Sequence, residues 1–355
     1  MTFVLGRDAG IDAGPTGHLG RYRALDGSEG AKIHVDLDGP HAAMVVGKRG
    51  YGKSYTLGVF AEALSRADGV APVVVDPMGV FDTLAAGSDG EPVPTDVVAE
   101  PSVAPNALDP RSWCSLLGLS PESGAGSLVW QAAAEATTLD AMRAAVEATD
   151  APGSDSRAAT NHLRLADSWE VFDANGLSAA DLTSPEITVV DVSGLDTAPM
   201  NAVVRGIAEA LYRARVDRTV DRLPWLLVDE AHTFFEGVAE SALKTVLTRG
   251  RAPGVSLVMA TQRPSAVPAV GISQSDLLIS HRLTSHADLE ALEKAQPTYM
   301  NESLSERLPT DPGEVVVVDD STETIHAAQV RGRDTPHGGS SPNASDVAAD
   351  VALDD

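Results

Sequence analysis

Apolar and polar positions alternate in short blocks along most of the chain. Residues 41–46 read His-Ala-Ala-Met-Val-Val, an unbroken apolar run that predicts a strand buried on both faces. A glycine-rich turn follows, and then an apolar-periodic helix that starts at Lys53 and is clearest over 55–64. Residues 70–75 form a second β-rich run that stops at Asp76. Further runs of this kind lie at 187–192, 225–228, 255–260, 277–280 and 314–318. Helices fall between them, one with Val203, Val204, Ile207 and Leu211 along one side. Strand and helix in alternation predict an α/β fold with a parallel, doubly wound sheet.

Two regions break the rhythm. Residues 1–40 are rich in Gly and Asp, with weak strands at 20–22 and 32–37, and read as a short β-rich segment or reduced barrel. Residues 82–185 read as an insertion: a Pro/Asp/Gly-rich loop over 87–110, then Ala-rich helices such as 128–136 and 139–148, with a linker signal at 151–156. The body of the protein is then one domain over 41–331, interrupted by 82–185. Residues 332–355 lack core residues, carry one Arg against five Asp, and are expected to form a disordered acidic tail.

Composition narrows the class. The chain has 355 residues, 43% of them hydrophobic, enough for a large core. No apolar stretch is long enough to span a bilayer, and the first residues lack a signal-peptide pattern, so a cytoplasmic protein is expected. The single cysteine, Cys114, excludes an internal disulfide and a multi-thiolate metal site. Lys and Arg total 26 against 51 Asp and Glu, for a net charge of −25, and only five of the basic residues are Lys. Acidic, Asp-rich, Lys-poor composition fits a protein of a salt-loving archaeon, kept soluble by its charge. It does not exclude nucleic acid, because a basic path can be local.

The turn after the first buried strand carries the chemistry. Gly47-Lys48-Arg49-Gly50-Tyr51-Gly52-Lys53-Ser54 fits the G-x-x-x-x-G-K-[ST] phosphate loop and sits between a strand and a helix, as that motif requires. The glycines let backbone N–H groups turn toward phosphate oxygens, and the helix N-terminus adds its positive dipole end. Lys53 would reach the β- and γ-phosphates and Ser54 would hold Mg²⁺, with residues 47–55 as the nucleotide cradle, Tyr55 included.

A second apolar strand ends in Asp229-Glu230. Asp229 would complete the Mg²⁺ shell and Glu230 would polarise the attacking water. Gln262, in Thr261-Gln262-Arg263-Pro264 at another strand end, is the candidate γ-phosphate sensor. Asp76 precedes Pro77 and reads either as a crevice residue or as a turn starter. His232 reads as a structural histidine or as a coupler of hydrolysis to a moving element. Arg205, Arg213, Arg215, Arg218 and Arg222 are interleaved with acids and fit a salt-bridged face better than a DNA track.

The set GKRGYGKS, VVVDPMGVFDTL, LLVDEAHTFF, LTRGRAPGVSLVMATQRPS and SDLLISHRLTSHADLEAL resembles the HerA/FtsK superfamily of P-loop motors, the HerA side more closely. The resemblance covers roughly residues 41–81 and 186–300. It implies a RecA-like core, ATP as the nucleotide, a homo-hexameric ring, and DNA, in the double-stranded form, as the partner. It implies catalytic roles for Lys53, Asp76, Glu230 and Gln262, and a trans-acting Arg251, with Arg249 and Arg282 as alternatives. HerA docks the nuclease NurA through an N-terminal β-barrel that residues 1–40 are too short to hold, which argues against that partner. The resulting expectation is a Mg²⁺-dependent DNA translocase or helicase. The alternatives are a packaging or secretion motor, and a nucleotide-dependent switch or scaffold.

Overall fold

The computed structural model describes residues 3–7, 13–24, 27–87, 93–295 and 304–339. Its strands are β1 (Phe3–Leu5), β2 (Thr16–Arg23), β3 (Glu29–Asp36), β4 (Ala42–Val46), β5 (Val70–Asp76), β6 (Thr95–Val98), β7 (Ile187–Asp191), β8 (Leu223–Val228), β9 (Ser256–Thr261), β10 (Leu277–Ser280), β11 (Glu314–Asp319) and β12 (Thr324–Val330). They form one sheet in the order β1-β3-β2-β12-β11-β10-β4-β9-β8-β5-β7-β6. The run from β10 to β6 is parallel throughout. The helices are α1 (Lys53–Leu64), α2 (Pro110–Leu116), α3 (Gly124–Glu135), α4 (Leu139–Ala148), α5 (Gly153–Asp167), α6 (Thr197–Val216), α7 (Glu240–Arg249), α8 (Ala269–Ser273), α9 (His286–Lys294) and α10 (Leu304–Arg307).

Helices cover both faces of the parallel block, which is why β4, β5 and β8 at its centre are apolar almost throughout. On one face Leu57, Phe60 and Leu64 of α1 pack on Val45, Val74, Trp225 and Ile279. On the other, Val203 and Ile207 of α6 and Leu243 and Val246 of α7 pack on Met44, Val75, Leu226 and Met259. Alternate residues of β4 thus point to opposite cores. This central strand aims the loop after it out of the middle of the sheet.

The insertion has a core of its own, built from Trp113, Val129, Met142 and Leu163 on α2 to α5. Its helices start where the sequence supplies caps: Asp109 accepts from Arg111 and Ser112 N–H groups, Ser123 from Gly126, and Thr138 from Ala141. Arg205 fastens the insertion to α6, with Nη2 2.5 Å from Asp109 Oδ2. That contact makes Arg205 structural.

Four local readings change. Residues 1–40 do not form a separate barrel in their described part: β2 pairs antiparallel with the open edge of β12, and β3 and β1 extend the same sheet. Within 82–185, β6 pairs with β7 and closes the far edge of the sheet. The segment 151–156 is not a linker, because α5 begins at Gly153 behind Pro152, with Asp155 in its first turn. Finally, residues 332–339 are not a free tail. They dock on α1, where the Glu62 carboxylate is buried and accepts from Asp334 N, Thr335 N and Thr335 Oγ1. Arg331 Nη1 lies 2.8 Å and Arg333 Nε 3.6 Å from the same carboxylate. Ion pairing, which leaves no trace in an apolar pattern, holds this strap. The remainder of the expected tail, 340–355, lies outside the described residues.

Candidate nucleotide site

The turn from β4 into α1 is built as an anion cradle. Gly50 and Gly52 have φ of 81° and 109°, a backbone region in which a side chain is strained. Gly47 is needed for space: a Cβ there would lie 2.6 Å from His281 Cβ. His281 follows β10 and supports the loop from below. Its N–H donates to Val46 O, and its Nε2 lies 2.9 Å from Thr56 Oγ1. Burial pushes the His281 pKa down to about 3, so a neutral ring sits beneath the loop. Lys48 N–H donates to Arg282 O, pinning the loop a second time.

Lys53 is buried at the start of α1, and its Nζ lies 3.5 Å from Lys48 O. Desolvation lowers its pKa, and the charges of Glu230 and Asp229 oppose that shift. Ser54 Oγ donates to Asp229 Oδ2 at 2.6 Å across the gap between α1 and β8. Asp229 is fully buried, and desolvation raises its pKa to about 6. A hydroxyl and a buried carboxylate, both hard oxygen donors, fit Mg²⁺, which takes few protein ligands and completes its shell with water and phosphate. Among the described residues no cluster of three acids, His or Cys is placed to hold a metal ion.

Glu230 faces the same space with φ 43° and ψ 42°, a strained conformation for a residue with a side chain. Burial raises its pKa, opposed by the charge of Lys53, by the Gln262 backbone and by the charge of Arg49. Around these groups lies a cavity of about 870 Å³, large enough for a nucleoside triphosphate. Arg49, Gly50, Tyr51, Gly52, Lys53, Ser54, Tyr55, Glu230 and Gln262 all line it. Gly47 and Lys48 shape the loop from behind, with Lys48 Nζ 4.4 Å above the Tyr51 ring.

The other candidates fall elsewhere. Asp76 lies behind the wall. It accepts from Met78 N and Phe81 N, which sets the turn whose Pro77, Met78 and Val80 line the cavity. Burial, then the nearby Asp229 and Asp191, raises its pKa to about 6. Arg249 and Arg251 are exposed just before β9, whose opposite end carries Thr261 at the cavity. A six-residue strand separates them from their own chain's Lys53, about 20 Å of extended backbone. Arg282 lies beside its own loop and donates to Thr310 O.

The sequence reading missed the far wall, made of Pro312, Gly313, 329–332 and His337. Tyr55 ties α1 to that wall. Its hydroxyl accepts from Arg333 N at 2.6 Å, and its ring meets His337 edge-on at 5.4 Å. One signal was present: Glu62 is a lone acid in the apolar stretch 59–64 of α1.

The same architecture occurs in solved structures. VirB4 of Thermoanaerobacter pseudethanolicus aligns with a TM-score of 0.68 at 18% identity, over 91% of this chain and 98% of that one. The fold is that of a RecA-like P-loop ATPase core. A bacterial conjugative coupling protein, TrwBdeltaN70, aligns at 0.56 and 15% identity, over 93% and 97%. Its trigonal form gives 0.56 at 14%, over 94% and 100%. No protein-family model and no curated protein sequence matches the chain. Among the described residues no helix is long and apolar enough to cross a membrane.

Proposed function

We propose that the chain is a Mg²⁺-dependent ATPase that moves DNA as a homo-hexameric ring, of the HerA-like type. One observation carries this reading: the Asp229-Glu230 pair at the end of β8 faces Lys53 and Ser54 across one triphosphate-sized cavity. Ser54 and Asp229 would hold Mg²⁺, which neutralises charge on the β- and γ-phosphate oxygens when bound. Lys53 and the loop N–H groups bind and align the phosphates. Glu230, raised by burial, orients the attacking water and takes its proton. Gln262 lies on the adjacent strand end and senses the γ-phosphate. The placement of Arg251 supports a role in trans, at the neighbouring subunit's ATP. Asp76 acts by fixing the 77–81 turn.

The test is ATP turnover at high KCl, with and without duplex DNA, on protein whose mass is measured in the same buffer. Glu230→Gln should bind ATP and lose about 10²-fold or more in kcat. Wild-type turnover in that variant refutes the assignment. A secretion motor would use the same site for another cargo and hydrolyse without a DNA response, and a DNA-packaging motor would need its capsid partner for a full response to DNA. A monomer with slow, DNA-independent turnover would favour the switch reading.

A further inference from the structure

His232 lies two residues after Glu230 in the loop after β8 and lines the same cavity. Its Nδ1 lies 3.2 Å from Thr261 Oγ1 and 3.3 Å from Glu230 Oε2. One ring nitrogen therefore faces two oxygens carried by two different strand ends, with one hydrogen-bonding position to share between them. The alignment satisfies Thr261, while Glu230 Oε2 stays buried without a hydrogen-bond partner. A buried acceptor left open is costly, so a second arrangement in which Nδ1–H turns to Glu230 has a driving force.

The backbone around this contact is fixed. Glu230 keeps its left-handed conformation while its carbonyl accepts from Thr233 N and Thr233 Oγ1 and its N–H donates to Asp229 Oδ1. The other side leads away from the nucleotide. Thr261 Oγ1 accepts from Arg263 N, and Ser265 N and Oγ both donate to Asp288 Oδ1 on α9. The Glu230 carboxylate is thus linked to the turn after β9 through the His232 ring.

We infer that His232 is a positioning residue that couples Glu230 to the 261–263 turn, by dividing one ring nitrogen between Thr261 and the catalytic carboxylate. With Nδ1 on Thr261, Glu230 Oε2 is open to the attacking water. When the turn shifts and Thr261 leaves, Nδ1–H takes Glu230 and withdraws it. The position of the segment after β9 then sets the rate of hydrolysis. The inference rests on the ATPase reading above.

The test is a double-mutant cycle in the full chain at saturating Mg²⁺-ATP with duplex DNA present. Thr261→Val removes the hydroxyl at constant shape, and His232→Ala removes the ring. Thr261→Val should lower kcat about tenfold with KM for ATP within about twofold, and adding His232→Ala, which removes the ring that withdraws Glu230, should restore most of that loss. Thr261→Ser should keep most of the rate, and melting curves report whether each variant is folded. A double variant as slow as Thr261→Val, or an unchanged kcat in folded Thr261→Val, overturns the coupling while leaving the ATPase intact. A wild-type chain that binds but does not turn over ATP overturns the function, and the coupling with it.

Discussion

Replacing Glu62 by alanine should unhook the strap that walls the nucleotide cavity. Glu62 sits on α1 with no exposure, and both guanidinium groups that face it are nearly buried, with side-chain exposures of 12% for Arg331 and 1% for Arg333. Its oxygens also accept from Asp334 N at 3.0 and 3.1 Å, Thr335 N at 3.0 Å and Thr335 Oγ1 at 2.7 Å. Alanine leaves two desolvated cations and three donors without an acceptor. Breaking a buried pair from one side costs about 3–5 kcal/mol, far more than the pair contributes net. At about 2–4 °C per kcal/mol for a large domain, melting should fall by about 6–20 °C, toward the lower end in a chain of this length. Glu62→Gln keeps the shape and one acceptor oxygen but turns an N–H₂ toward a guanidinium, so it should fall between alanine and wild type. ATP affinity should drop in parallel, because 329–332 and His337 form the far wall. Thermal melting, trypsin cleavage after Arg331 and Arg333, and ATP titration measure the three effects. A melting point within about 1 °C of wild type, with those two bonds still protected, would refute the reasoning.

Other expectations follow from the same geometry. His41 lies between Asp276 and Asp36, which outweigh burial and raise its pKa from 6.5 to about 9. A raised cationic group stabilises fully below its unfolded pKa, so melting temperature should fall as pH climbs from 6.5 to about 9, and His41→Gln should flatten that slope. Burial raises Asp229 from 3.8 to about 6, so the folded state loses stability as pH climbs from 3.8 to about 6 and carries the full penalty above that. Asp229→Asn should therefore melt higher than wild type at pH 8 without nucleotide and lose the extra stabilisation that Mg²⁺-ATP gives. Gly47→Ala should weaken ATP binding, since its Cβ would meet His281 at 2.6 Å, and His281→Ala should relieve part of that loss in the double variant. Rings mixed from Glu230→Gln and Arg251→Ala subunits should recover ATPase that neither variant has alone; no recovery would remove Arg251 from the site.

What the sequence revealed depended on how local the physics was. The β4-loop-α1 unit and the Asp229-Glu230 strand end were legible because apolar period, glycine placement and acid position lie within a dozen residues. So was the parallel order of the core, since doubly buried strands must be apolar throughout. β12 was missed because only alternate positions such as His326, Ala328 and Val330 are buried, and its polar remainder hides the alternation. The strap was misread because Arg-Gly-Arg-Asp-Thr looks solvated until Glu62 is placed beneath it. That the Asp76 carboxylate turns into the 77–81 loop was not legible, because a strand end says which edge a residue reaches, not which way its carboxylate turns. His281 carried no signal at all: its value lies in touching a glycine far away in the chain.

The central position of β4 bears on how the molecule is made. Its phosphate loop leaves the ribosome long before its two sheet neighbours, 256–261 and 277–280, and the strap comes later still. Until those segments emerge, the doubly apolar β4 has no sheet edge to join. Throughout that interval a nascent chain exposes its hydrophobic centre while lacking the far wall of its nucleotide cavity. The demand on holding chaperones therefore falls in that interval, and nucleotide can help the chain fold only once the strap has emerged.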